Sequence, residues 1–155
     1  MKRQLLLFAA LTLTMALSAQ SINFSGSWKL NTQKSQLNTE FSMAPLEIII
    51  KHEGINMTVE KHSNFQGQDF TSVDTLTLDG NECINPGFME SQKKSTAVWS
   101  DDKASLKVVS KMNAGDAGDI TITEIYKLSN GNLVLESTAS SSYGDLYEVM
   151  VYDKL

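Results

Sequence analysis

The sequence predicts an all-β protein: a single antiparallel up-and-down β-barrel of eight to ten strands, with a short helix or loop closing one end. Three observations lead there. Short runs alternate apolar and polar side chains along most of the chain, the period of a strand with one buried face. Turn-forming Gly, Asn and Asp punctuate those runs at short intervals from Leu46 to Leu155. No stretch is periodic enough for a crossover helix, and none supplies the long connection that a Greek-key sandwich needs.

Residues 1–20 read as a secretory signal peptide. Lys2 and Arg3 precede an apolar run from Leu5 to Leu17, and Ser18-Ala19-Gln20-Ser21 offers the small residues a signal peptidase cuts beside. The run is short for a bilayer span and no stop-transfer pattern follows, so stable membrane insertion is not expected. The expected location is secreted or periplasmic. Residues 21–155 then make one barrel domain, large enough to bury a core without staples. Loss of Lys2 and Arg3 leaves 11 of the 13 basic residues against 18 acidic ones, a net charge of −7. That balance disfavours nucleic acid and anionic membranes as partners. Cys83 is the only cysteine, so no internal disulfide forms. It reads as a small half-buried residue beside a turn.

In order, Phe24, Gly26, Trp28 and Leu30 alternate with Ser25, Ser27 and Lys29 as the first strand, and Gly26 lets the Trp28 indole lie against close backbone. Asn31 to Pro45 is polar, and the four-residue spacing of Leu37 and Phe41 suits one helical turn before Pro45. Leu46 to Lys51 and Ile55 to Glu60 form a hairpin about Glu53-Gly54. Phe70 to Leu78 is Thr-rich strand, and Asp79-Gly80-Asn81 is the strongest hairpin signal in the chain. A short strand at Glu82 to Ile84 runs into Asn85-Pro86-Gly87, which reads as loop. Strands follow at Lys93 to Ser100, Ser105 to Met112, Ile120 to Leu128, Leu133 to Ala139 and Leu146 to Tyr152, with turns at Ser129-Asn130-Gly131 and Tyr143-Gly144-Asp145.

Gly26-Ser27-Trp28 on the first strand of a small exported barrel resembles the Gly-x-Trp signature of the calycins, the lipocalin and fatty-acid-binding protein superfamily. Phe24 to Leu30 is similar to the opening of intracellular fatty-acid-binding proteins and of bacterial secreted lipocalin-like proteins. The tail from Val149 to Lys154 resembles the closing strand of the fatty-acid-binding group, whose Arg-x-Tyr pair contacts a ligand carboxylate. Tyr152 matches the Tyr, but Met150 stands at the Arg, so the clamp is missing. The segment before Pro45 is also short for that group's helical lid. The resemblance implies a barrel whose cavity takes a small apolar ligand, with Gly26 and Trp28 serving structure.

Alternate residues of such a barrel point inward. The apolar phase places Leu46, Ile48, Ile50, Ile55, Met57, Val59, Phe70, Trp99, Val108, Tyr126, Leu135, Met150 and Tyr152 inside. Ser72, Asp74, Ser110, Glu124, Ser137 and Glu148 share that phase. A buried carboxylate requires water, a cation or a raised pKa. Either these acids face the cavity or a bulge turns them to solvent. Facing inward, they disfavour an anionic ligand and suit a neutral or cationic amphiphile. The expected ligand site is Ile48, Met57, Phe70, Trp99, Val108, Glu124, Tyr126, Leu135, Glu148, Met150 and Tyr152. His52 and His62 read as surface histidines without a metal set, and no cofactor is expected. No Gly-x-Ser-x-Gly, phosphate loop or Cys–His pairing marks an enzyme. The expected function is non-catalytic binding of a small hydrophobic or amphipathic molecule. The rivals are an interaction module working through loops Asn64–Gln68 and Asn113–Asp119, and a calycin-type enzyme using Glu124, Glu148 and Tyr152.

Overall fold

A computed structural model describes residues 22–115 and 118–155; the expected signal peptide lies outside them. Ten strands follow one another: β1 (Gly26–Leu30), β2 (Glu47–Glu53), β3 (Asn56–Phe65), β4 (Gln68–Thr77), β5 (Glu82–Pro86), β6 (Gln92–Trp99), β7 (Ser105–Asn113), β8 (Asp119–Ser129), β9 (Asn132–Ser141) and β10 (Gly144–Lys154). They form one antiparallel sheet in the order β4-β3-β2-β1-β10-β9-β8-β7-β6-β5. The short first strand is the hub, pairing β2 on one side and the last strand on the other. Turn chemistry fixes the hairpins: Asn130 and Gly131 (φ 52° and 80°) take the left-handed conformations that a two-residue turn between β8 and β9 requires.

The sheet curls until its two ends, β4 and β5, meet at a seam that no backbone ladder closes. Asp79-Gly80-Asn81 makes a turn, held by Asp79 accepting from the Asn81 N–H at 3.1 Å, yet β4 and β5 do not form a hairpin ladder. Side chains join them instead. The Asn85 amide accepts from the Thr75 N–H (2.8 Å) and donates to the Thr75 carbonyl (3.1 Å), standing in for a peptide group. Cys83 Sγ accepts from the Thr77 N–H at 3.3 Å. Asn85 and Pro86, read from sequence as loop, therefore belong to β5. An edge strand tolerates a proline, because a missing ladder N–H costs it little.

The expected helical turn before Pro45 is absent; a 3₁₀ turn lies instead at Phe88–Glu90. Residues 31–45 instead cross one end of the barrel as an irregular strap. Leu37 packs against the core while Phe41 stays outside, edge-on to Phe65 at 5.7 Å.

The barrel has two unlike halves. At the end carrying the β2–β3, β6–β7 and β8–β9 turns, the interior is solid. Phe24 stacks on Trp99 at 5.7 Å and 8°, with the His52 and Tyr126 rings against it. Trp28 is buried, donates from Nε1 to the Phe24 carbonyl at 3.0 Å and lies under the Lys154 ammonium. Gly26 beside it has φ 148°, and a Cβ there would come within 3.2 Å of Lys154 and 3.5 Å of the indole. His52 is buried in this plug, not on the surface: the Phe24 N–H donates to its Nδ1, leaving Nε2 to donate to the Gly54 carbonyl. Leu46 and Ile55, expected inside, are exposed at strand ends where the alternation gives way to turns.

Candidate ligand cavity

The other half of the interior is not filled. The inward phase of each strand changes character along its length. On β8, buried Tyr126 is followed towards this end by Glu124 and Ile122; on β10, Tyr152 and Met150 give way to Glu148 and Leu146. On β3, Met57 and Val59 lead to Lys61 and Ser63, and on β6 the sequence Trp99, Ala97, Ser95 leads to Lys93. The result is a cavity of about 200 Å³. Its lining is charged and polar at Lys61, Lys93, Glu124, Glu148, Ser63, Ser72 and Ser137, and apolar at Ile122, Ala139, Leu146 and Met150, with Met43 and Pro45 of the strap. A larger depression of about 460 Å³ beside Lys29–Gln33 and Asp153 lies open on the outer surface and desolvates nothing.

The inward acids are real, and every one is matched. Lys61 Nζ donates to Glu124 Oε1 at 2.5 Å, and the Tyr126 hydroxyl donates to Oε2 at 3.2 Å. Lys93 Nζ sits 2.6 Å and 2.9 Å from the two Asp74 oxygens. Glu148 meets no cation but accepts two backbone N–H bonds from the strap, Asn38 at 2.9 Å and Met43 at 3.3 Å. The carboxylates are thus satisfied internally, as burial demands. They leave no free anion for a cationic ligand. Each ammonium carries three N–H donors, and Lys61 meets one carboxylate oxygen while Lys93 meets two, so the surplus in the cavity is of donors.

Of the expected site residues, the structure brings Glu124, Glu148 and Met150 to the cavity. Ile48, Met57, Val108, Tyr126, Leu135 and Tyr152 are buried in the packed half, and Trp99 lies half-buried against Phe24. Phe70 keeps the inward phase but is 51 % exposed. It stands on the stretch of β4 that projects beyond the seam, where no strand faces it. The sequence reading missed Lys61 and Lys93. Both fall in the inward phase of their strands, and that phase was the available signal. Among the described residues no three His, Cys, Asp or Glu side chains converge as a metal set.

Burial sets the proton affinities. For Lys61, burial works to lower the pKa, but the Glu124 carboxylate, aided by Asp74, outweighs it and leaves it raised. Burial also pushes the Tyr126 and Tyr152 phenols well up; Glu124 reinforces both, while Lys61 opposes the shift at Tyr152. For all three groups the folded pKa lies above the unfolded one, so the fold holds protons that the unfolded chain releases. Stability contributed by Lys61 is complete below its ordinary value and is lost as pH climbs through the folded one. The tyrosines contribute nothing until the unfolded phenols ionise near pH ~10, after which they too favour unfolding. The melting temperature is therefore expected to fall from pH ~10 upward, and Tyr126→Phe should soften the fall. A melting temperature level up to pH ~11 in both proteins would contradict the assignment.

No protein-family model matches the chain, and no curated protein matches its sequence. Solved structures share its architecture. Zebrafish ileal bile acid-binding protein, crystallised with cholic acid, superposes with a TM-score of 0.60 at 16 % identity, covering 85 % of this chain and 98 % of its own. A SAHS protein from Ramazzottius varieornatus gives a TM-score of 0.56 at 14 % identity, covering 85 % of this chain and 95 % of its own. At such identities the likeness is one of fold: the chain shares their antiparallel barrel architecture.

Proposed function

We propose that this calycin-like barrel binds a small amphipathic molecule in the cavity beneath the strap, without chemistry. The observation that carries the reading is the mixed lining of the cavity. Apolar Ile122, Leu146 and Met150 share it with satisfied acids and donor-rich lysines, the division of labour of a small-molecule site. The likeness in fold to a bile acid-binding protein supports the same reading. At about 200 Å³ the cavity lies below the ~300–1,000 Å³ typical of ligand sites. The ligand is therefore small, or the strap yields to admit it. A non-catalytic role agrees with the tyrosine hydroxyls, which donate to Glu124 and to the Pro45 carbonyl and have no proton to spare. Residues 1–20 would deliver the protein to the periplasm or the exterior.

Native mass spectrometry of the protein purified from its own host, with extraction of any adduct, tests the reading. A stoichiometric small molecule is the expected result. A clean mass, together with no uptake of 1-naphthol (a neutral ring system with one hydroxyl), would overturn it. The rival reading is a protein-interaction module. It is favoured by the exposed apolar side chains Phe41, Met43, Phe65, Phe70 and Phe88 in the strap and loops around the cavity end, and that negative outcome would advance it.

A further inference from the structure

The strap that roofs the cavity is fastened unevenly. Where it leaves β1, Gln36 and Val149 exchange both backbone bonds, at 2.7 Å and 3.0 Å. Where it joins β2, the Tyr152 hydroxyl donates to the Pro45 carbonyl at 3.1 Å. Between these points residues 37–44 have no ladder. Their bonds are mostly their own: Asn38 Oδ1 accepts from the Glu40 and Phe41 N–H groups, and Ser42 Oγ from Ala44. The hydrogen bonds that tie this run to the barrel come from one carboxylate, with Glu148 Oε1 on the Asn38 N–H and Oε2 on the Met43 N–H; at its two ends Leu37 and Ala44 pack against the core, and Phe41 meets Phe65. Glu148 is buried and lines the cavity, as does Met43 on the underside of the run. Lys61 and Lys93 are committed to Glu124 and Asp74, so the strap's amides are the partners Glu148 has.

We propose that Glu148 is the latch of a gate: its carboxylate clamps residues 37–44 over the cavity, and release of its two bonds is the motion that opens it. The proposal rests on reading the cavity as a binding site. Charge-assisted bonds are strong enough to hold a short run closed. Two of them are few enough that local opening remains far easier than global unfolding. Opening at the strap leaves the plugged half and its aromatic stack intact, so the gate works without loosening the core.

Amide hydrogen exchange on the ligand-free protein tests the latch, and stopped-flow binding of 1-naphthol tests the gate. In Glu148→Ala the Asn38 and Met43 amides should exchange about ten- to a hundredfold faster than in wild type. Glu148→Gln keeps one acceptor and should fall between. The Leu133 and Leu135 amides of β9 should keep their wild-type rates, which a merely destabilised barrel would not allow. Association and dissociation of 1-naphthol should both quicken. Unchanged exchange at Asn38 and Met43 overturns the latch whatever the probe does. Faster exchange with unchanged probe kinetics overturns the gate. Wild-type protein that takes up no 1-naphthol, while its strap amides respond as expected, overturns the binding reading and the gate with it, but leaves the clamp in place.

Discussion

Glu124→Leu should cost about 3–5 kcal/mol of stability, the penalty for stranding a buried charge. Lys61 and Glu124 are nearly enclosed, with side chains 14 % and 11 % exposed. The carboxylate is the partner that keeps the Lys61 ammonium charged at its depth. Without it, burial is opposed chiefly by the more weakly acting Asp74 and pulls the lysine pKa down. Tyr126 loses its hydroxyl acceptor in the same stroke, leaving two orphaned groups where one residue changed. Urea unfolding gives the stability, and NMR of the Lys61 side chain follows its titration. The companion double replacement Glu124→Leu with Lys61→Met removes both charges, and it should recover most of the loss, since an apolar pair of similar volume is often as stable as a buried ion pair. A single variant as stable as wild type would show that solvent reaches Lys61 freely. A double variant no better than the single would place the damage in packing.

Trp28→Ala should cost about 3–5 kcal/mol through lost contacts and the cavity left behind. The indole is 2 % exposed, it lies over Gly26 and under Lys154, and its N–H satisfies the Phe24 carbonyl. Little can move in to fill the space, because Phe24 is held against the Trp99 and His52 rings, which also touch each other. Trp28→Phe keeps most of the volume and loses the hydrogen bond, so it should cost about 1–3 kcal/mol. Thermal and chemical unfolding measure both. Equal losses in the two variants would assign the effect to the hydrogen bond, and a negligible loss in Trp28→Ala would mean that the plug collapses around the vacancy.

Local patterns made most of the barrel legible. Period-2 alternation located the strands because each has one wet face, and Asn130-Gly131 announced its hairpin through two residues that accept positive φ. The failures share a cause, which is that a long-range partner decided the outcome. Asp79-Gly80 makes a turn, but the fate of its flanking strands depended on Asn85 reaching Thr75 across the seam. The four-residue spacing of Leu37 and Phe41 was not a helix, since Gln36 and Asn38 find better partners on β10. Lys61 and Lys93 were not legible as interior residues because lysine is seldom buried. Only the acids opposite, on β8 and β4, make their depth tolerable. His52 likewise took its place from Phe24 and Trp99, far away in the chain.

The Asn85 clasp reaches beyond shape. The ten-strand order has two ends, and the Asn85 amide supplies two of the bonds that join them, alongside Cys83 on Thr77 and Lys93 on Asp74. When that amide lets go, β4 is open to solvent along its edge as far as Thr75 as well. Its stretch Gln68–Val73 is exposed and contains β-prone Phe70, Thr71 and Val73 with no lysine or proline to blunt it. Such an edge templates strand addition by any extended chain, including a neighbouring copy. Pro86 partly guards the β5 side. On the β4 side the safeguard is Asn85, and a residue that completes the ring therefore also keeps crowded molecules of this protein from growing into one another.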